Sequence, residues 1–324
     1  MIKQNLAIIL LSSIALTACA KPTSNPSQNA QTPTTKANLS AEQQKQLQQL
    51  LEKTKKNLIL VKGGNFMMGD FGPEHSTDKR PYAGGDSSPL HKVTLDDFHL
   101  SATKATYADF DVYTDVTGQK KVGKFNEDSI EERISTAAAG INWQQARDYC
   151  QWLGQQLNLK MDLPTEAQWE YAARNRGQYV LFATDNGKID IGRNIWSFEQ
   201  RQDIQDRTKV YKNISTLQQF PPSPLGFYDM LTDNYEWMLD WYDPEYYSKS
   251  PEKNPQGPAT GILKVVRSSA PDDGQNMHMG GNGLTIQRHA IHPVEDPERA
   301  KSKIVQKYNL DLNQNNSVRC AANP

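Results

Sequence analysis

Apolar positions recur along this chain in short, separate stretches, and each predicts a local element. Ser40-Ala41-Glu42-Gln43 has the spacing of a helix-capping box, and Leu47, Leu50 and Leu51 fall on one helical face. Residues 40–56 therefore read as a short lead-in helix. Residues 57–68 (NLILVKGGNFMM) are two apolar runs divided by Gly63-Gly64, the pattern of a β-hairpin. A loop rich in Gly, Asp, Pro and Ser covers 69–88, and Val93, Leu95 and Phe98 then approach the alternation of a strand. Residues 106–117 read as a helix closed by Gly118. Asn142 caps the next helix, in which Ala146, Tyr149, Cys150, Leu153 and Leu157 recur at helical spacing. A third follows over 162–174, with Thr165 as N-cap, Gln168 closing the box, and Trp169, Ala172 and Ala173 facing inward. Beyond it the pattern is mostly loop. Short strands are predicted near 264–267 and 317–321, and 295–316 reads as a polar surface excursion.

The amino-terminal stretch changes the picture of where such a domain works. Lys3 precedes an apolar run, 6–16 (LAIILLSSIAL), too short to span a bilayer comfortably, which ends in Leu16-Thr17-Ala18-Cys19. This LTAC run resembles a bacterial lipobox. It divides the chain into a signal peptide (1–18), a lipidated Cys19 with a flexible tether (19–38), the lead-in helix (39–56) and a domain (57–324). The tether is Pro, Thr, Asn, Gln and Ser with almost nothing to bury. Ala20, where Asp would signal retention in the inner membrane, favours the outer membrane, lipid-anchored and periplasm-facing. The alternative is an ordinary secretory signal with an incidental cysteine.

Composition narrows the function classes. The chain has 324 residues and a formal net charge of −1, with 37% hydrophobic and 23% charged residues, so no global field draws it to nucleic acid. It carries three cysteines. With Cys19 set aside, Cys150 and Cys320 read as a disulfide in an exported chain, worth roughly 3–5 kcal/mol across so long a loop. Two buried free thiols are the alternative.

Four ordered stretches stand out: Val61-Lys62-Gly63-Gly64-Asn65-Phe66-Met67-Met68-Gly69 with His91-Lys92-Val93; the run from Ile141 through Tyr149-Cys150-Gln151-Trp152-Leu153 to Leu163-Pro164-Thr165 and Ala173-Arg174; Phe220-Pro221-Pro222 with Gly226-Phe227-Tyr228-Asp229-Met230 and Glu236-Trp237; and Val318-Arg319-Cys320-Ala321-Ala322. As an ordered set they resemble the formylglycine-generating, sulfatase-modifying-factor family. The resemblance implies an irregular, loop-rich α+β fold, related to C-type-lectin-like folds, with little regular secondary structure. It also implies pairing of Cys150 with Cys320.

The resemblance further implies structural calcium. One site falls at Leu231, Thr232, Asn234 and Glu236, where backbone carbonyls and one carboxylate supply hard oxygen donors. Thr232 stands where the family has Gly. A second site uses Asn194 and Ile195, with Asp206 the nearest acidic candidate. The alternative at the first is a carboxylate, Glu236, satisfied without metal. Family oxidases hold copper on two thiolates in the C-terminal third, and copper(I) demands such soft donors. Here 267–293 contains no cysteine, and the usual RGGSW reads Arg267-Ser268-Ser269-Ala270-Pro271. Copper is not expected, although Met277-His278-Met279, His289 and His292 are soft or imidazole donors in that region.

No GxSxG elbow, phosphate-binding Gly-rich loop or HExxH motif is present. Glu166 reads as first-turn complement to a helix dipole. Trp143, Trp152, Trp169, Trp237 and Trp241 read as core. The expectation is a non-oxidase envelope lipoprotein, a protein-binding scaffold or immunity-type module with an envelope protein partner. Its partner surfaces are expected at 70–88, 118–140 and 272–316. The alternative is a metal-dependent oxidase with altered ligands, in which Arg267, His278, Arg288 and His289 would converge on a polar pocket. In a binding module that region would be filled. A lectin-like carbohydrate module rests on fold analogy alone.

Overall fold

The computed structural model describes residues 39–123, 133–208, 216–268, 283–294 and 315–324, with 301 and 303. The chain divides into Met1–Thr35 and Lys36–Pro324, and only the second contains described residues. Cys19 and the signal and tether segments therefore lie outside them, as do Met277, His278, Met279 and much of the 272–316 stretch. No helix among the described residues is long and apolar enough to cross a membrane.

The capped helices form where side-chain oxygens meet the free N–H groups of a first turn. Helix α1 (Ala41–Asn57) starts at Ser40, α3 (Tyr107–Thr117) at Thr106, α4 (Trp143–Leu157) at Asn142 and α5 (Glu166–Ala173) at Thr165, each with a reciprocal capping box. The left-handed residues Gly118 (φ 73°) and Asn158 (φ 54°) end α3 and α4. A single turn, α2 (Gly72–His75), lies inside the 69–88 loop. Helix α6 (Phe198–Thr208) buries no residue, which is why the apolar pattern gives no sign of it.

Among the described residues, ten strands make three small sheets: β1 (Leu58–Val61), β2 (Gly64–Met68), β3 (His91–Leu95), β4 (Phe98–Ser101), β5 (Lys160–Asp162), β6 (Tyr235–Trp241), β7 (Lys264–Arg267), β8 (His289–Ile291), β9 (Asn316–Ser317) and β10 (Ala321–Asn323). The first sheet runs β1-β4-β10-β5, the second is the pair β2-β3, and the third runs β8-β7-β6-β9 with β9 parallel to β6. The structure corrects the hairpin expected at 57–68. Strand β1 pairs with β4, while β2 pairs with β3 in another sheet. Gly63 and Gly64 mark a crossing between sheets, because a Cβ on Gly63 would lie 2.2 Å from the Leu95 carbonyl oxygen.

The domain is thus a loop-rich α+β fold with a core divided between two faces. Helices α1, α3 and α4 gather Tyr107, Phe110, Tyr149, Leu153 and Trp237. Helix α5 and the strands gather Phe66, Val93, Phe98, Trp169, Met238 and Val265. The Cys150–Cys320 disulfide ties α4 to the segment between β9 and β10 across 170 residues, and both cysteines are buried. Closing a loop of that length removes denatured-state entropy worth about 5 kcal/mol. Replacing both cysteines by serine is expected to lower unfolding stability by about 3–5 kcal/mol; urea midpoints of oxidised wild type and the double variant measure the difference.

Candidate functional site

Helix α5 presents Glu166 and Glu170 one turn apart, followed by Arg174 on the same face. All three are buried, with Glu166 1% and the other two 0% exposed, so each charge must be met inside the protein. Strand β7 delivers Arg267 to both carboxylates: Nη1 donates to Glu166 (2.9 Å) and Nη2 to Glu170 (3.0 Å). Arg288, just before β8, grips Glu166 with Nε (2.8 Å) and Nη2 (3.0 Å), a bidentate pair, and donates Nη1 to the carbonyls of Asp86 and Asp243. Arg174 closes the far end on Glu170 (2.8 Å) and the Met67 carbonyl (2.8 Å).

Two of the four residues expected to line an enzyme pocket are consequently spent on structure. Arg267 and Arg288 are buried and directed into α5. Removing one partner from such a pair leaves an uncompensated buried charge, worth about 3–5 kcal/mol. Glu166 is more than a complement to the dipole of α5, because burial alone would raise its pKa and the two guanidinium groups reverse that. His289 sits half-buried on β8, 5.0 Å from the Tyr235 ring centroid.

The second buried centre lies on the other side of Trp169. Glu236, at the start of β6, accepts from Trp169 Nε1 (2.9 Å), Arg319 Nε (2.9 Å) and Arg319 Nη2 (3.1 Å). Its Oε1 also lies 3.4 Å from the Lys104 ammonium, which donates to the carbonyls of Asp229 and Thr232. Thr232 and Glu236, two of the four calcium ligands that the resemblance implies at this site, are thus brought together, but around a lysine. Asp229, Asp233 and Asn234 take left-handed φ angles of 56°, 62° and 84°, which curl this loop about the Nζ atom. These acceptors already hold a fixed cation, so the cradle does not fit a free divalent ion. Leu231 and Asn234 are buried in the same loop.

At the other expected site, Asn194 donates Nδ2 to Asp185 (3.1 Å) and the Lys188 carbonyl (3.0 Å), and its Oδ1 accepts from Asp190 N–H. The Ile195 carbonyl accepts from Gly192 N–H (2.8 Å). Asp185, not Asp206, is the carboxylate bonded to Asn194, and Arg193 neutralises it at 2.9 Å; Asp206 instead accepts from Gln202 on α6. Among the described residues, no three His, Cys, Asp or Glu side chains converge as metal ligands would.

Sequence reasoning missed Lys104 and Asp240 as site residues. Lys104 leaves no periodic signal. Trp143, Trp152, Trp169 and Trp237 are core, whereas Trp241 is partly exposed and with Trp143 sandwiches the Lys264 ammonium (3.8 and 3.9 Å from the ring centroids).

Two groups beside the α5 network titrate in opposite senses. Burial, then the Glu166 carboxylate, pushes Asp240 up to about 7 from 3.8. Burial, then Arg267, pushes His289 down to about 4 from 6.5. Asp240 stabilises the fold in acid and loses that contribution as pH rises from 3.8 to about 7; His289 contributes above 6.5 and loses it as pH falls to about 4. Asp240→Asn keeps an acceptor for the Glu166 N–H (2.9 Å in wild type) and removes only the first effect. The variant is expected to be more stable than wild type at pH 8, by about 1.4 kcal/mol for every tenfold change in proton affinity that the substitution abolishes. It is expected to lose stability more steeply on acidification from 7 to 5, as urea midpoints across that range would record.

A sulfatase-modifying factor enzyme 1-like domain matches residues 43–323. The serine/threonine-protein kinase pkn1 of Chlamydia pneumoniae is 30% identical over 228 residues, which is 65% of this chain and 32% of that protein; the chain thus spans about a third of that relative. The formylglycine-generating enzyme of Streptomyces coelicolor is 26% identical over 259 residues, 65% of this chain and 77% of that enzyme. The solved structure of PvdO from Pseudomonas aeruginosa superposes with a TM-score of 0.57 at 20% identity, covering 82% of this chain and 94% of the other, a likeness of fold.

Proposed function

Since this chain belongs to the sulfatase-modifying factor enzyme 1-like family, we propose that it is a member without formylglycine-forming activity, working as an envelope-anchored protein-binding scaffold or immunity-type module. One observation carries the reading. The chain has three cysteines, and the disulfide takes two of them, Cys150 and Cys320. Cys19 is the third, and it belongs to the proposed lipid anchor. No pair of thiolates remains to hold copper(I) for oxidation of a substrate cysteine. The filling of the α5 face by Arg267 and Arg288 supports the same reading, since these side chains stabilise the interior instead of lining a pocket.

A binding role needs a surface that varies over a rigid base. The 70–88 loop has such a base: the Asp70 carboxylate accepts from the backbone N–H groups of Gly72, Tyr82 and Ala83, each at 2.8 Å. On this base His75 stacks against the exposed Tyr179 at 3.6 Å between ring centroids. This loop is the proposed face for an envelope protein partner. The proposed anchor at Cys19 would tether the chain to the periplasmic side of the outer membrane.

Given copper, oxygen and a reductant, the full-length protein is expected to leave the cysteine of a sulfatase-motif peptide unconverted, as read by mass spectrometry. Conversion to formylglycine above a protein-free control would reject the non-oxidase reading in favour of an oxidase with altered ligands. Labelled palmitate is expected to enter the wild-type protein in bacterial cells and not the Cys19→Ser variant, with the variant leaving the membrane fraction; equal labelling of both would rule out the anchor.

A further inference from the structure

A lysine buried at 0% exposure is costly unless its ammonium meets acceptors on every side. Lys104 meets three: the Asp229 carbonyl, the Thr232 carbonyl at 2.6 Å, and Glu236 Oε1 at 3.4 Å. An ammonium has three N–H donors and no acceptor, so three oxygens are its full complement. The loop that supplies two of them turns its carbonyls inward through three departures into left-handed backbone, at Asp229, Asp233 and Asn234. Two carbonyls and a carboxylate converging from one turn form an oxygen set suited to a hard cation.

Lys104 is held in that position by its own backbone neighbours. Ala105 N–H donates to the Val318 carbonyl (2.8 Å), the Ala105 carbonyl accepts from Ala139 N–H (2.9 Å), and Ser101 N–H donates to the Cys320 carbonyl (2.9 Å). The side chain therefore enters the loop from a segment pinned beside the last strands. Calcium sits about 2.3–2.6 Å from its oxygens, so an ion sharing these three ligands would lie against the Nζ atom. Charge repulsion and volume together forbid both.

We propose that the Lys104 ammonium is a covalently tethered substitute for a divalent cation in the Asp229–Glu236 cradle, so that this domain braces the loop without metal there. The lysine makes the brace independent of the cation supply and permanent once the chain has folded. Deleting it should uncover the site for calcium.

The test compares calcium stoichiometry of the full-length wild type, Lys104→Ala and Lys104→Met by equilibrium binding. Lys104→Ala opens the cradle and is expected to bind one calcium equivalent more than wild type, with its melting temperature raised by calcium and lowered again by EDTA. Lys104→Met fills the same space with an apolar chain and is expected to gain none. Calcium bound elsewhere on the protein cancels in the comparison. Equal stoichiometry in wild type and Lys104→Ala overturns the proposal. If Lys104→Ala is recovered only as unfolded protein, refolding from urea decides: recovery of native circular dichroism with calcium but not with EDTA supports the substitution, and failure in both overturns it.

Discussion

A carboxylate removed from water must be answered by positive charge, and the arrangement of this domain follows from two places where that is done. Around Glu236 the answers come from Arg319 and Lys104, with the Trp169 indole completing the shell. Around Glu166 and Glu170 they come from Arg267, Arg288 and Arg174. All of these cations except Arg174 arrive from elements distant in sequence, so the ion pairs fix how α5, β6, β7 and the final strands sit against one another. In a fold with few long strands, such pairing gives orientation that apolar burial, which is non-directional, does not supply.

That division explains what the amino-acid order discloses. Helices α1, α3, α4 and α5 are legible because a capping residue and a repeating apolar face are both local signals, as at Asn142 with Ala146, Cys150 and Leu153. The third-sheet strand β7 is legible as a short apolar run. Strand β6 is not, since its alternation is masked by burial of Glu236 and Asp240 among Trp237 and Met238. The partners of β1 and β2 differ from the expected hairpin because a Gly-Gly pair looks alike in a tight turn and in a crossing between sheets; only the approach of the Leu95 carbonyl distinguishes them. The site is hardest. Nothing local to Lys104 announces that it will be buried against residues some 125 positions away.

The same contrast separates family skeleton from family chemistry. The motifs that carry the resemblance contribute the crossing at Gly63-Gly64, the disulfide helix, α5 and the closing strand, and in this chain these are held by buried contacts. The copper site that the resemblance implies for family oxidases takes two thiolates, whereas the two cysteines of this domain are joined to each other. The 70–88 loop is anchored in the same interior, since the Asp86 carbonyl accepts from Arg288 while Phe71 and Ser87 are buried; its exposed positions, such as His75, are the ones that can change without disturbing the core.

The position of β10 has a consequence for how such a chain reaches its native state. It lies inside the first sheet, hydrogen-bonded to β4 on one side and β5 on the other. Residues 321–323 follow every other strand of that sheet in the chain, so they emerge last of these strands, from a ribosome or from an export channel. Until they arrive, β4 and β5 each present an open row of backbone donors and acceptors, the kind of edge that invites pairing with other chains. The first sheet therefore stays open at its interior until that segment emerges, and a factor that shields those edges would act before, and not after, the segment pairs.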